Sequence, residues 1–76
     1  MVVHLLLWSL ADSKTTLDEL RAQLPKLEQR DTWLSNEASE RFGLVSFGDE
    51  PPAELARVRD LIGRDPEVAE EFDVEA

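Results

Sequence analysis

The most apolar stretch of the chain lies at its amino end, where Met1 to Leu10 read MVVHLLLWSL. A short run rich in Val and Leu is typical of a strand whose two faces are both buried. Alternate residues share a face of a strand; one face here carries Val3, Leu5, Leu7 and Ser9, and the other carries Val2, His4, Leu6, Trp8 and Leu10. A chain of 76 residues rarely covers both faces of a sheet. The pattern predicts a strand over Val2–Leu10 and a partner that covers one of its faces.

A helix is predicted to begin after Thr16. Thr16 and Glu19 have the spacing of a capping box, and the acidic first turn suits the positive end of a helix dipole. An apolar stripe follows at helical spacing, formed by Leu17, Leu20, Leu24 and Leu27. Pro25 lacks an N–H group and crowds the preceding turn, so the helix is expected to end or kink near Leu24.

The remaining pattern predicts two strands, a helix and a weak last strand. Thr32–Asn36 and Phe42–Gly48 form a hairpin. The second helix opens at Asp49-Glu50-Pro51-Pro52 and stops at Gly63, with a buried stripe of Leu55, Val58, Leu61 and Ile62. The last strand is centred on alternating Phe72, Val74 and Ala76.

This β-α-β-β-α-β order predicts an α+β, ferredoxin-like fold for residues 1–76 as a single domain, with a four-stranded antiparallel sheet and two helices on one face. The first and third strands, which are the most apolar, are central in such a sheet. Since the helices cover one face only, we expect a homodimer through the open sheet face.

Charge and cysteine content narrow the function classes. Eight Lys and Arg residues against seventeen Asp and Glu residues give a net charge of −9, which disfavours nucleic acid and acidic membranes as partners. The chain has no Cys, so disulfides and thiolate metal sites are excluded and a cytoplasmic location is expected. The apolar start has no preceding positive charge and no small-x-small cleavage site, so a buried strand is preferred to a signal peptide.

Four segments carry a family resemblance: His4 with Leu5-Leu6-Leu7-Trp8, Trp33, Phe42-Gly43-Leu44-Val45-Ser46-Phe47 with Asp49 and Glu50, and Phe72-Asp73-Val74. Together they resemble the dimeric α/β-barrel superfamily, most of all its small monooxygenases and less closely its stress-responsive members. The resemblance implies two sheets packed face to face across a two-fold axis, with an apolar pocket between sheet and helices. Some members oxygenate aromatic polyketide-like compounds without a cofactor. This chain is shorter than most members, which leaves less room for a substrate pocket.

The candidate chemistry is limited to a few side chains. His4 is the one group with an ordinary titration near neutral pH, and it is either a catalytic acid–base residue or a hydrogen-bonded structural histidine. Trp8 and Trp33 either stack on a flat ligand or fill the core. Asn36 and Arg41, at the hairpin connection, either polarise a ligand carbonyl or are solvated.

Two function classes remain open. The first is a protein that binds or oxidises a small flat apolar molecule without a cofactor, with His4 and Trp8 bordering one pocket. The second is a non-catalytic homodimeric interaction module. No metal is expected, because acidic residues of the tail such as Glu67, Glu70 and Glu75 spread along a strand and its approach rather than converge in a loop.

Overall fold

The computed structural model describes residues 1–27 and 31–75, and its elements follow the predicted order. They are β1 (Val2–Ser9), α1 (Leu17–Gln23), β2 (Thr32–Asn36), β3 (Arg41–Phe47), α2 (Leu55–Ile62) and β4 (Val68–Asp73). The four strands form one antiparallel sheet in the order β2-β3-β1-β4. The α+β ferredoxin-like fold is therefore confirmed, with β1 and β3 in the centre of the sheet.

Helix α1 begins and ends as the sequence predicts. The Thr16 hydroxyl accepts a hydrogen bond from the Glu19 N–H at 3.2 Å, which satisfies one of the free donors of the first turn. The Glu19 carboxylate in turn accepts a hydrogen bond from the Thr15 hydroxyl at 3.0 Å, rather than reaching the backbone of the cap. The helix ends at Gln23, and the Leu24 N–H still donates to the Leu20 carbonyl.

Helix α2 and strand β4 differ from the predicted bounds. Two successive prolines lack N–H groups, and α2 begins at Leu55 after a turn rather than at the prolines. It ends before Gly63, whose φ of 86° is the left-handed conformation expected of a helix C-cap. Strand β4 was expected over Phe72–Ala76 and instead runs over Val68–Asp73, because it pairs with β1 from Leu7 back to Val2. Ala76 lies outside the described residues.

The hydrophobic core lies between the sheet and the two helices. The sheet supplies Leu6 and Trp8 from β1, Leu10 just after β1, and Phe42 and Leu44 from β3. The helices supply Leu20 from α1 and Val58 and Ile62 from α2. A fully buried side chain such as Leu44 contributes about 2 kcal/mol by the hydrophobic effect. The core residues of β1 and β3 are all even-numbered, and even-numbered residues of these two strands pair with each other, so they share one face of the sheet. Both helices therefore cover this face and leave the other face bare. None of the helices in residues 1–27 and 31–75 is long and apolar enough to cross a membrane.

Candidate functional site

His4 lies inside the protein, on the face of β1 that the helices cover. Its side chain is 4% exposed. Nε2 lies 3.0 Å from the Gly48 carbonyl oxygen, which can only accept a hydrogen bond, so this nitrogen carries the proton. Nδ1 lies 3.7 Å from Oε1 of Glu71 on the neighbouring strand β4. The Nε2 hydrogen bond therefore links β1 to the segment after β3, and the Glu71 carboxylate of β4 lies beside the ring.

His4 belongs to a row of polar side chains that crosses the sheet. Ser46 stands opposite His4 in the β1–β3 register, and its buried hydroxyl donates to Oδ1 of Asp31 at 2.9 Å. Glu71 stands opposite His4 on the other side. Ser46 and Asp31 were not predicted as site residues, because their proximity follows from strand register rather than from spacing along the chain. The row is nevertheless unsuited to nucleophilic catalysis, since Ser46 donates to a carboxylate and His4 donates to a backbone carbonyl.

The two tryptophans occupy different environments. Trp8 is fully buried in the core, and its indole N–H donates to the Arg64 carbonyl at 3.1 Å. A ligand would reach the Trp8 ring only if the core opened. Trp33 is half-buried, its indole N–H donates to the Pro25 carbonyl at 2.9 Å, and its ring lies 5.4 Å from that of Phe42. Of the two rings, only that of Trp33 is open to stacking at the surface.

A surface cleft of about 240 Å³ lies beside the Trp33 ring. Its described lining comprises Leu20, Arg21, Leu24, Pro25, Lys26, Trp33 and Phe42. The volume is somewhat below the range of about 300–1,000 Å³ that is usual for small-molecule sites. The cleft combines an aromatic floor with two cationic side chains, which suits a small aromatic anion better than a neutral hydrocarbon.

A larger cleft of about 500 Å³ lies between the β1–α1 connection and the β2–β3 hairpin. Arg21 at its edge donates to Asp18 at 3.0 Å, to Glu37 at 3.2 Å and to Ser35 at 3.2 Å. These contacts tie α1 to the hairpin and compensate part of the local acidic charge. In residues 1–27 and 31–75, no group of three or more His, Asp or Glu side chains is arranged to hold a metal ion.

Asn36 and Arg41 lie on the opposite side of the sheet from His4. They pair with each other at the end of the β2–β3 hairpin, and both are exposed. Asn36 Oδ1 accepts a hydrogen bond from the Ser39 N–H at 3.1 Å, as in a turn that an Asn side chain stabilises. The five predicted site residues are thus divided, with His4, Trp8 and Trp33 on the helix side and Asn36 and Arg41 on the bare side.

The bare side, which we call the open face, carries apolar side chains from all four strands. Strand register arranges the side chains of this side in four rows across the sheet, of which three are largely apolar and the fourth contains Ser9, Arg41 and Asn36. The first row contains Phe47, Val3 and Phe72; the middle row contains Thr32, Val45, Leu5 and Glu70; the third row contains Leu34, Gly43, Leu7 and Val68. Among the described residues, the large hydrophobic side chains most exposed are Met1, Leu34, Phe47, Phe72 and Val74. Three of these five, namely Leu34, Phe47 and Phe72, lie in the rows of the open face.

Gly43 lies near the centre of the open face, where two neighbouring side chains approach it. A Cβ atom added there would lie 2.6 Å from Cδ2 of Leu7, 2.9 Å from the Leu6 carbonyl oxygen and 3.5 Å from Cβ of Leu34. Leu7 therefore leans across the glycine and closes the centre of the face. Contiguous exposed apolar surfaces are a common feature of interaction sites in proteins.

The chain was also compared with known proteins. No protein family model matches it, and no curated protein matches it significantly. The four-stranded antiparallel sheet and two helices are compatible with a ferredoxin-like fold, whereas the resemblance to the dimeric α/β-barrel superfamily and to its small monooxygenases stays a prediction from the residues quoted above.

Proposed function

We propose that this chain is a homodimeric, non-catalytic interaction module whose two copies pair through the open face. The observation that carries the proposal is the apolar surface itself, since Leu34, Phe47 and Phe72 are each at least 38% exposed on one side of the sheet. Isolated exposed hydrophobic residues are common, but a contiguous face of them is costly in water. The lack of cysteine suits a cytoplasmic location for such a dimer.

The size of the open face agrees with a stable dimer. Four strands about 4.8 Å apart and three rows about 7 Å apart give a face of roughly 19 by 21 Å. With side-chain relief, two copies would bury on the order of 1,300 Å² in total, which reaches the range of stable protein interfaces. The covered face has the reverse properties, because its core is filled by Trp8, Leu20, Leu44 and Val58, all fully buried.

Light scattering after gel filtration at micromolar concentration tests the proposal. We expect a mass of twice 8.6 kDa for the unmodified chain. The Phe47→Glu variant places a charge within the open face at a position that is already 38% exposed, so it is expected to remain folded and become monomeric. Ala56→Glu adds the same charge to an exposed position of α2 and should remain dimeric. A folded monomer for the unmodified chain would refute the proposal.

The cleft at Trp33 supports a second candidate function, the binding of a small flat aromatic molecule. The described lining supplies the cations Arg21 and Lys26 and no general base, so the cleft favours binding over oxygenation. The probe is 1-naphthoate, whose carboxylate suits these cations. Quenching of tryptophan fluorescence should persist in Trp8→Phe and disappear in Trp33→Leu. Quenching that depends on Trp8 instead would support the predicted pocket between sheet and helices.

A further inference from the structure

The rows of the open face also determine how two copies fit together, an inference that rests on the proposed dimer. In the middle row, Glu70 stands at one edge of the sheet on β4 and Thr32 stands at the other edge on β2. Glu70 is the one charged residue in the three rows defined above. A carboxylate at an interface costs free energy unless a hydrogen-bond donor or a positive charge faces it.

A two-fold axis in the plane of the interface can run along the strands or across them. An axis along the strands exchanges the two edges, so that β4 of one copy lies over β2 of the other and Glu70 faces a threonine. An axis across the strands that passes through the middle row leaves β4 over β4, so that two copies of Glu70 face each other. The strands of two packed sheets cross at up to about 30°. At the edges of the sheet, this angle shifts a residue of one copy by about one residue relative to the position that it faces in the other copy. A Glu side chain can still reach across this shift.

The position of the axis also determines which residues of the central strands face each other. If the axis runs along the strands and between β1 and β3, β1 of one copy lies over β3 of the other. Each residue of β1 then faces the β3 residue of the other copy with which it pairs within its own sheet, as Leu5 pairs with Val45. Leu7 then lies over Gly43 of the partner subunit, beside the partner's Leu7, which covers that glycine within its own chain. We infer that the two-fold axis of the dimer runs along the strands and places Glu70 against Thr32 of the partner subunit.

Because the chain contains no Cys, single cysteines can be introduced to test this arrangement. Facing positions in sheets about 10 Å apart are too distant for a disulfide, so a short bis-maleimide is the suitable cross-linker. A mixture of Thr32→Cys and Glu70→Cys chains, unfolded and refolded together, should give a covalent dimer. Neither variant should cross-link when it is refolded alone. The two identical cysteines then lie at opposite edges of the interface, about 14 Å apart across the strands in addition to the distance between the sheets.

The outcomes separate the orientation from the dimer itself. Cross-linking of each variant with itself, without preference for the mixture, would show that the axis runs across the strands and would overturn the inference. A dimer by scattering in which no sample cross-links would overturn it as well. A monomer by scattering would instead refute the proposed function.

Introducing a positive charge opposite Glu70 gives a second test of the same geometry. Thr32→Lys should tighten the dimer about two- to fivefold by pairing with Glu70 across the interface. The gain should vanish in a Thr32→Lys/Glu70→Gln double variant. If the axis ran across the strands, the lysines would face each other and weaken the dimer, a result that would contradict the inference.

Discussion

Replacement of Gly43 by alanine is expected to destabilise the protein because the central strands approach too closely for a side chain. The added Cβ would lie 2.6 Å from Cδ2 of Leu7 and 2.9 Å from the Leu6 carbonyl oxygen. The end of Leu7 can rotate away at a cost of about 0.5–1.5 kcal/mol for an unfavourable rotamer. The Leu6 carbonyl cannot, since it belongs to β1, which pairs with strands on both sides.

The expected magnitude is the difference between two effects. Overpacking of this kind costs about 1–3 kcal/mol, whereas replacing a strand glycine by alanine recovers about 0.5–1 kcal/mol of backbone entropy. We therefore expect the free energy of unfolding of Gly43→Ala to fall by about 1–2 kcal/mol. For a domain of this size, the melting temperature should fall by about 5–15 °C.

Urea unfolding followed by far-ultraviolet circular dichroism measures this change. The chain concentration must be the same for all variants, because dimer formation makes apparent stability depend on it. The loss in a Leu7→Ala/Gly43→Ala double variant should be smaller than the sum of the two single losses, because the part of the Gly43→Ala cost that comes from Leu7 is then absent. An unchanged or increased stability of Gly43→Ala would refute the close approach of β1 and β3.

Three further substitutions test the polar contacts by the same urea assay. Trp8→Phe removes the donor to the Arg64 carbonyl and should cost about 1–2 kcal/mol, whereas a change of a few tenths would show that the bond is unimportant. Thr16→Ala should cost about 1 kcal/mol and Thr16→Ser much less, because serine also caps; equal losses would contradict the capping contact. His4→Leu leaves the Gly48 carbonyl without its donor and should cost about 1–3 kcal/mol, more than His4→Gln; the reverse order would exclude this structural role.

Local patterns predicted most of the fold because they depend on neighbouring residues. The start of α1 follows from the Thr16 hydroxyl and its end from Pro25, and both signals lie within a few residues of the boundary. The bounds of β2 were predicted as Thr32–Asn36 and are confirmed. Alternation along β3 places Phe42 and Phe47 on opposite faces of the sheet, and in the structure the first is buried and the second is 38% exposed.

Strand β4 was the least predictable element because its stability comes from pairing rather than from its own sequence. Ala69, Glu70 and Glu71 have low strand propensity. They form a strand because β1 offers its free backbone groups along most of its length. The Glu71 side chain is 68% exposed at this edge of the sheet, where a charge also discourages further strands from adding.

Of the candidate site, the sequence predicted only which side chains of a single strand share a face. Alternation showed that His4 and Trp8 share a face, and the structure confirms this. Their depth depends on what the helices cover, and their hydrogen-bond partners, Gly48 and Arg64, are distant along the chain. The pairing of Ser46 with Asp31 depends on the register of β2 against β3, which no pattern within a single segment specifies.

The filled core constrains where a ligand can bind. A pocket between sheet and helices would have to displace fully buried side chains such as Trp8 or Leu44, and loss of one such side chain costs about 2–5 kcal/mol. Trp33, by contrast, is accessible without any change in the core. The open face and the Trp33 cleft lie on opposite sides of the sheet, so Phe47→Glu should abolish the dimer without affecting 1-naphthoate binding. Trp33→Leu should have the reverse effects, and a variant that lost both properties would show that the two sides are coupled.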